Sequence, residues 1–486
     1  MFSNMFSPKP KNEKLTITSN GKAKKLSLNT EVHTQLTELN ITENKFKELP
    51  DNIYDFTKLT ILNLNDNVLI KLSDKISQLM QLNILNLSKN QLTKLPGEIG
   101  QLTKLSELIL QNNQLTQLPG EISQLIQLSI LILQDNQLTQ LPGNIGQLTQ
   151  LTILNLNNNK LTELPDGIGQ LTRLSELDLF LNKITKLPGE IGQMKQLSKL
   201  ILQNNHLTQL PDEIGQLTNL SILVLSHNQL RQLPDSIGEL KQLSDLYLCN
   251  NQLTQIPGDI GHLTQLSRLY LDNNQLTQLP GEIIQLTQLS NLSLYSNQLT
   301  QLPVEIGQLT KLSNLSFSCN KLTQLPVELG LLTQFSKLYL DNNQLTQITG
   351  ERGQLTHLTK LVLCCNKLTE LPIELEQLTQ LSELRLSYNQ LTHLSVEISK
   401  LMQLTILNLY NNQLKELPVE IGQLTQLSKL NLSFNQITNL PVEIEQLTKL
   451  SELNVSNNPL PQELQLQYNF SNRCRFAKHE EIVSGV

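Results

Sequence analysis

LSRLYLDNNQLTQLP, residues 266–280, is one copy of a pattern that recurs through most of this 486-residue chain. Its leucines alternate with Arg268, Tyr270 and Asp272. Alternate residues of a strand share one face, so these three side chains are predicted to point away from the leucines. The leucines therefore specify the fold, and the residues between them are where recognition of a partner is to be sought.

The pattern has a strict period. An asparagine recurs at every 23rd position from Asn44 to Asn458, nineteen times without insertion or deletion. Around it the template is L-x-x-L-x-L-x-x-N-x-L-x-x-L-P-x-x-I-x-x-L-x-x. The L-x-L segment predicts a short strand with one buried face, and strands about 4.8 Å apart stack into a long parallel sheet. Because the asparagine amide both donates and accepts hydrogen bonds, its regular spacing predicts a continuous ladder between repeats.

The second half of the template predicts the return path of each repeat. Proline pre-sets φ for a turn or for a first helical residue, and Ile-x-x-Leu then gives one buried stripe on a short helical or 3-10 segment. Wide segments on one side and narrow strands on the other predict a curved stack. The predicted fold class is therefore an α/β solenoid, a curved horseshoe of about nineteen repeats with a parallel concave sheet.

The domain organisation follows from where the period begins and ends. Residues 1–14 are predicted to be a disordered basic tail, and residues 15–35 an N-terminal cap with a degenerate repeat. The solenoid is predicted over 36–460, followed by a capping helix and tail over 461–486, because an open end would expose leucines to water.

One repeat departs from the template at a core position. Arg352 in the segment 348–355 occupies the place that isoleucine or leucine fills elsewhere. A buried guanidinium without a partner is prohibitive, so this segment is expected to expose the arginine. Two interpretations stay open, namely drift in one loop and a local docking point.

Composition excludes several classes of function. The net charge of −6 gives no nucleic-acid signature. No run of 18 apolar residues predicts a membrane span, and the amino-terminal MFSNMFSPKPK has no apolar core of a secretory signal. The five cysteines are an odd number and do not form pairs at the solenoid ends, which favours a reducing cytoplasm.

The side chains that the fold leaves free are those at five outward positions per repeat, which lie seven, six, four, two and one residues before each asparagine. We call the surface they form the strand face. Exposed tyrosine and arginine carry much of the binding energy at protein interfaces, and this face is acidic and isoleucine-rich at first but aromatic with mixed charge later. Tyrosine is also a good strand residue, so shielding of the sheet is the alternative interpretation. The candidate partner-binding residues are Phe180, Tyr247, Arg268, Tyr270, Asp272, Tyr295, Lys337, Tyr339, Asp341, Arg385, Tyr388, Tyr410 and Phe434.

No motif for catalysis is present. The sequence lacks H-E-x-x-H, G-x-G-x-x-G, G-x-S-x-G and C-x-x-C pairs with metal spacing, and its seven histidines are scattered. We therefore expect no catalytic residues, no cofactor and no metal. The protein is predicted not to be an enzyme.

The 23-residue template with L-P-x-x-I resembles the leucine-rich repeat family over residues 36–460. It is most similar to the cytosolic class that includes Ras-group proteins of plants, animal scaffolds such as Erbin and Scribble, and bacterial proteins with EIGQLTQL-like units. The resemblance implies a curved solenoid that binds protein partners, often signalling regulators or small GTPases. The P-loop that a GTP-binding module would need is absent.

Three hypotheses for function follow. The leading one is a cytoplasmic, non-enzymatic scaffold that binds a protein partner along its concave face in intracellular signalling. The second is a bacterial effector that acts in a host cytosol and mimics host scaffolds of this class. The third is a regulatory subunit of a separate enzyme. The sequence identifies neither the partner nor the oligomeric state.

Overall fold

The computed structural model describes residues 13–18, 35–332, 334, 336–347 and 356–464. Most of the predicted basic tail, the segment around Arg352 and residues 465–486 of the predicted cap lie outside the described residues, so those three interpretations stay predictions. The chain divides into two units, Met1–Tyr247 and Leu248–Val486. We describe each separately as the first and the second unit.

The first unit contains eleven short strands that pair in parallel in chain order. They are β1 Glu13–Thr18, β2 Leu36–Thr42, β3 Ile61–Asn63, β4 Ile84–Asn86, β5 Glu107–Ile109, β6 Ile130–Ile132, β7 Ile153–Asn155, β8 Glu176–Asp178, β9 Lys199–Ile201, β10 Ile222–Val224 and β11 Asp245–Tyr247. Strand β1 begins two residues inside the range assigned above to the tail. Its pairing with β2 shifts register between Glu13 and Lys14, as befits a degenerate repeat.

The second unit contains nine strands that also pair in parallel in chain order. They are β12 Arg268–Tyr270, β13 Asn291–Ser293, β14 Asn314–Ser316, β15 Lys337–Tyr339, β16 Lys360–Val362, β17 Glu383–Arg385, β18 Ile406–Asn408, β19 Lys429–Asn431 and β20 Glu452–Asn454. Each residue pairs with the one 23 positions later, so every repeat position forms its own row of side chains.

The return segments are 3-10 helices, which lie opposite the strands. In the first unit they are Asp51–Ile53, Asp74–Gln78, Gly97–Gln101, Gly120–Gln124, Gly143–Gln147, Asp166–Gln170, Gly189–Gln193, Asp212–Gln216 and Asp235–Glu239. In the second unit they are Gly258–His262, Gly281–Gln285, Val304–Gln308, Val327–Leu331, Ile373–Gln377, Val396–Lys400, Val419–Gln423 and Val442–Gln446. The template leucines and isoleucines between the two layers are almost completely buried and form the core.

Proline sets the start of the 3-10 segments. Pro96 is typical, with φ −70° and ψ 150°, and its carbonyl accepts a hydrogen bond from the amide of Ile99 at 3.2 Å. Ser73 and Ser395 replace proline without changing this backbone conformation. The oxygen Oγ of Ser73 accepts a hydrogen bond from the amide of Lys75 at 3.3 Å, which caps the segment in the absence of the proline ring.

The predicted asparagine ladder is present in both units, and Asn136 shows its geometry. Its amide nitrogen Nδ2 donates to the carbonyl of Leu133 in its own repeat at 3.1 Å and to that of Leu110 in the preceding repeat at 3.0 Å. Its Oδ1 accepts from the amide of Leu115 at 3.0 Å. The ladder asparagines are buried in eighteen of the nineteen repeats. Asn136 therefore satisfies three backbone groups that water cannot reach.

The residue just before each ladder asparagine adopts a left-handed backbone conformation, which the sequence analysis did not predict. All nineteen have φ between 51° and 57°. Asparagine and aspartate tolerate this region best among residues with a side chain, and ten of the nineteen positions carry one of them. Others, such as Leu181, Tyr388 and Phe434, hold this conformation at an energetic cost.

Replacing Asn136 with alanine is expected to destabilise the first unit by about 3 kcal/mol, because the buried amide of Leu115 loses its hydrogen-bond acceptor. The carbonyls of Leu110 and Leu133 each lose one of the two asparagine side chains that donate to them. Gln140→Ala is the matched control, since Gln140 is an exposed amide in the same repeat. Thermal unfolding followed by circular dichroism measures both variants. An equal loss of stability in the two variants would contradict the ladder as described.

Replacing Leu181 with asparagine is expected to stabilise the protein by about 1 kcal/mol, because asparagine relieves the cost of the left-handed conformation. Leu181 is 43% exposed, so little packing is lost. Leu181→Ala removes the same exposed side chain but retains the strain, and its midpoint of thermal unfolding should lie below that of the asparagine variant. The reverse order would refute the explanation.

Alkaline pH is expected to weaken the amino-terminal part of the first unit through Tyr54. Burial raises the pKa of its hydroxyl from 10.0 to about 12, against the opposing effect of hydrogen bonding to Ser73. The folded state thus holds this proton more tightly than the unfolded chain. The contribution of the protonated Tyr54 hydroxyl to the free energy of unfolding is therefore complete below pH 10 and is lost as the pH rises towards 12. The loss should reach about 3 kcal/mol.

Unfolding midpoints measured from pH 9 to 12 test this linkage. The unfolding midpoint of the Tyr54→Phe variant should decrease less steeply with pH than that of the parent chain. Parallel curves would show that Tyr54 does not control alkaline stability.

Candidate functional site

The strand face exists in each unit as predicted, with outward side chains that are mostly half-buried or exposed between fully buried leucines. Asp245 and several serines, such as Ser226 and Ser433, are buried exceptions. In the first unit the two candidate aromatic residues, Phe180 and Tyr247, are three repeats apart and do not form one cluster. Asp178 accepts a hydrogen bond from the amide of Phe180 at 2.9 Å, and burial raises the pKa of this carboxyl group.

In the second unit, Arg268, Tyr270 and Asp272 lie on one face as their alternation predicts. Asp272 also has an internal role. Its Oδ1 accepts from Oγ of Ser293 at 2.5 Å and from the amide of Tyr295 at 2.8 Å. This aspartate therefore joins adjacent repeats, whereas the arginine beside it is exposed.

Asp341 also has an internal role. It accepts from Oγ of Ser318 at 2.5 Å and from the side-chain amide of Asn342 at 2.9 Å. The two carboxylates named above as partner-binding candidates, Asp272 and Asp341, thus already stabilise the turns after their strands. A direct role for them in binding stays a prediction.

Three of the candidate aromatic residues form one cluster, which we call the aromatic row: Tyr388, Tyr410 and Phe434. The ring centroids of Tyr388 and Tyr410 are 5.0 Å apart, and those of Tyr410 and Phe434 are 5.1 Å apart, both in edge-to-face geometry. Tyr388 is 49% and Phe434 46% exposed. A hydrogen bond with the Tyr410 hydroxyl raises the pKa of Tyr388. Three consecutive repeats thereby present a continuous aromatic surface to solvent.

The backbone conformation of the aromatic row is also typical of a functional site. Tyr388 and Phe434 both occupy the left-handed position, with φ 56°, where most repeats carry asparagine or aspartate. Strained residues are concentrated at functional sites because another requirement outweighs their cost. Large exposed aromatic side chains at this position are therefore poorly explained by stability alone.

A second cluster, of charged side chains, lies on strands β15, β16 and β17. Glu383 accepts from Nε of Arg385 at 2.5 Å and lies 3.2 Å from Nζ of Lys360. Burial alone would raise the pKa of Glu383, but hydrogen bonds from Arg385 and Lys360 hold it below its usual range. The Lys360 ammonium also lies 5.7 Å from the ring centroid of Tyr339 in a cation–π contact. Lys337, on the adjacent strand, is exposed.

The cysteines offer little chemistry. Cys249, Cys319, Cys364 and Cys365 are free thiols. Burial raises the pKa of the last three, so their reactive thiolate forms are disfavoured. Within the described ranges, no group of three or more histidine, cysteine or acidic side chains could hold a metal ion. Nor do those residues form any helix with the length and apolar character needed to cross a bilayer.

An exposed apolar feature on the opposite side of the repeats was missed by the sequence analysis. Val396, Val419 and Val442 open three consecutive 3-10 segments and are 49%, 53% and 79% exposed. We call them the valine row. The signal was visible in the sequence, because the 3-10 segments from Asp51 to Gly281 all begin with glycine or aspartate, whereas later segments begin with valine or, at Ile373, isoleucine. The valine row belongs to the same three repeats as the aromatic row.

Comparison with known proteins adds several likenesses. Residues 98–202 and 189–269 match a leucine-rich repeat region family, and residues 57–115, 241–299, 356–414 and 402–460 match a leucine-rich repeat family. No curated protein sequence matches significantly. A solved leucine-rich repeat protein of Leptospira interrogans is 39% identical, with 86% of this chain and 96% of that chain covered and a TM-score of 0.61.

Two further solved structures have the same fold. YopM of Yersinia enterocolitica is 27% identical, with 92% of this chain and 88% of that chain covered and a TM-score of 0.67. The Arabidopsis receptor kinase HAESA, solved with the peptide hormone IDA and the co-receptor SERK1, is 28% identical, with coverages of 93% and 79% and a TM-score of 0.70. The repeat geometry, the family matches and the Leptospira protein together show that this chain belongs to the leucine-rich repeat family.

Proposed function

We propose that the chain is a non-enzymatic scaffold that binds a protein partner on the strand face of its second unit, with the aromatic row as the anchor. Leucine-rich repeats are protein-interaction scaffolds, and an extended surface of repeated strands suits that use. The observation that carries the proposal is the aromatic row itself. Its rings contact one another. The two end residues, Tyr388 and Phe434, are nearly half exposed and have a strained, left-handed backbone.

The surrounding residues support an interface at this place. Aromatic and arginine side chains dominate binding energy where they cluster, and Arg385 lies on β17, three residues before Tyr388 in the same repeat. HAESA, solved with a peptide hormone and a co-receptor, is a structural neighbour with partners. It supports a protein or peptide as the class of ligand for this chain.

We also propose a cellular location and a role in signalling for this chain. A cytoplasmic location agrees with the four free thiols among the described residues. A role in intracellular signalling, with a small GTPase or another regulator as partner, rests on the resemblance to Ras-group proteins described above.

Replacing Tyr388, Tyr410 and Phe434 together with alanine is expected to weaken partner binding at least tenfold, since each is a large aromatic contact. The full chain and the variant are used as baits in cell lysate, and captured proteins are quantified by mass spectrometry. The control variant carries alanine at Val396, Val419 and Val442, which removes exposed apolar side chains from the same repeats on the opposite side.

The expected result is a set of proteins that the parent chain and the valine variant capture equally and the aromatic variant loses. Circular dichroism should show all three chains folded. Equal capture by all three, or selective loss with the valine variant, would overturn the proposal.

A further inference from the structure

The charged cluster on β15, β16 and β17 has an excess of cations. Lys337 and Lys360 occupy paired register positions of adjacent strands, which lie about 4.8 Å apart. Glu383 faces Lys360 on the next strand and also binds Arg385. Lys360 and Arg385 thus share the Glu383 carboxylate, and Lys337 lies beside Lys360 on the neighbouring strand.

Other lysines at the same repeat position have a different ratio of cations to carboxylates around them. Lys199 faces Glu176 at 2.8 Å, and Lys429 faces Glu452 at 2.7 Å, so each of these cations has one carboxylate partner. Like charges directly opposite each other on neighbouring strands are destabilising. The arrangement of Lys337 beside Lys360 therefore carries a cost that an anionic ligand would remove.

The cluster and the aromatic row lie on one continuous face. Lys360 is six residues before its ladder asparagine, whereas Tyr388 is one residue before the asparagine of the next repeat. With a rise of at most about 3.3 Å per residue and one strand spacing of about 4.8 Å, the two side chains are attached at most about 17 Å apart. An extended peptide covers that distance with about five residues.

We propose that the partner segment is an extended acidic peptide whose carboxylates bind Lys337, Lys360 and Arg385 and whose apolar side chain, four to six residues away, packs on the aromatic row. This inference rests on the proposed function and adds the chemistry of the ligand. Charge complementarity selects the acidic end, and the exposed ring faces and edges select the apolar end.

A single-stranded nucleic acid, which also combines negative charge with flat rings, fits less well. Its bases need open aromatic platforms on which to stack. The rings of the aromatic row instead pack edge to face against each other at 5.0 and 5.1 Å.

Phage-displayed random 12-residue peptides, selected on the full chain, test the inference. We expect enriched sequences with aspartate or glutamate four to six positions from leucine, phenylalanine, tyrosine or tryptophan. Synthetic copies should bind with an affinity that falls as salt rises. The double variant K337Q/K360Q should lose at least tenfold in affinity for them.

Two controls sharpen the interpretation. The variant K429Q removes a lysine from the same row but from a one-to-one ion pair, and should change affinity less than twofold. Glu383 keeps Arg385 as partner in the double variant, and circular dichroism verifies that this variant is folded. A labelled 12-nucleotide polyuridine should bind less tightly than the selected peptides.

The outcomes separate this inference from the proposed function. Enriched peptides without acidic residues that still lose binding to the aromatic-row variant would overturn the acidic ligand and leave the proposed function intact. Peptides whose binding depends on neither cluster would contradict both. Absence of any enriched family, or tighter binding of polyuridine, would overturn the inference.

Discussion

The hydrogen bonds of the buried ladder asparagine are the constraint on which the rest of each repeat depends. One side chain satisfies backbone groups in its own repeat and in the preceding one, as Asn136 does with Leu133, Leu110 and Leu115. Those partners lie 3, 26 and 21 residues away, so the side chain links its own repeat to the preceding one. The constant 23-residue period brings an equivalent asparagine to the same place in the next repeat.

The ladder also determines which positions of the repeat can vary in sequence. The strand enters the turn through a left-handed residue in all nineteen repeats, and the leucines fill the core. What the template leaves open is the strand face on one side and the first residue of the 3-10 segment on the other. The binding surface that we propose therefore uses positions that the template leaves variable, and its aromatic row includes two residues with backbone strain, Tyr388 and Phe434.

Much of the fold could be predicted from the sequence because its signals are repeated nineteen times. The strands, the ladder, the proline-initiated segments and the outward alternation of Arg268, Tyr270 and Asp272 are confirmed. The left-handed turn was missed because its usual asparagine or aspartate is replaced by residues such as Glu43 and Leu181, which do not signal positive φ.

The candidate site could be predicted only in part. The aromatic residues could be identified from the sequence, but the contacts among their rings could not. Tyr388 and Phe434 precede the ladder asparagine by one residue, whereas Tyr410 precedes it by two. Contact across those different positions depends on side-chain direction, which spacing alone does not give. For the same reason, the internal hydrogen bonds of Asp272 and Asp341 could not be anticipated from residue type.

A photo-crosslinking amino acid placed at single positions tests the central claim most directly. p-Benzoylphenylalanine at position 410, in place of Tyr410, lies on the strand face, and at position 419, in place of Val419, it lies on the opposite side of the same repeat. Irradiation of cells that produce each chain should give a covalent adduct with a protein partner from position 410 and none from position 419. Adducts from position 419 alone would contradict the assignment of the binding surface to the strand face.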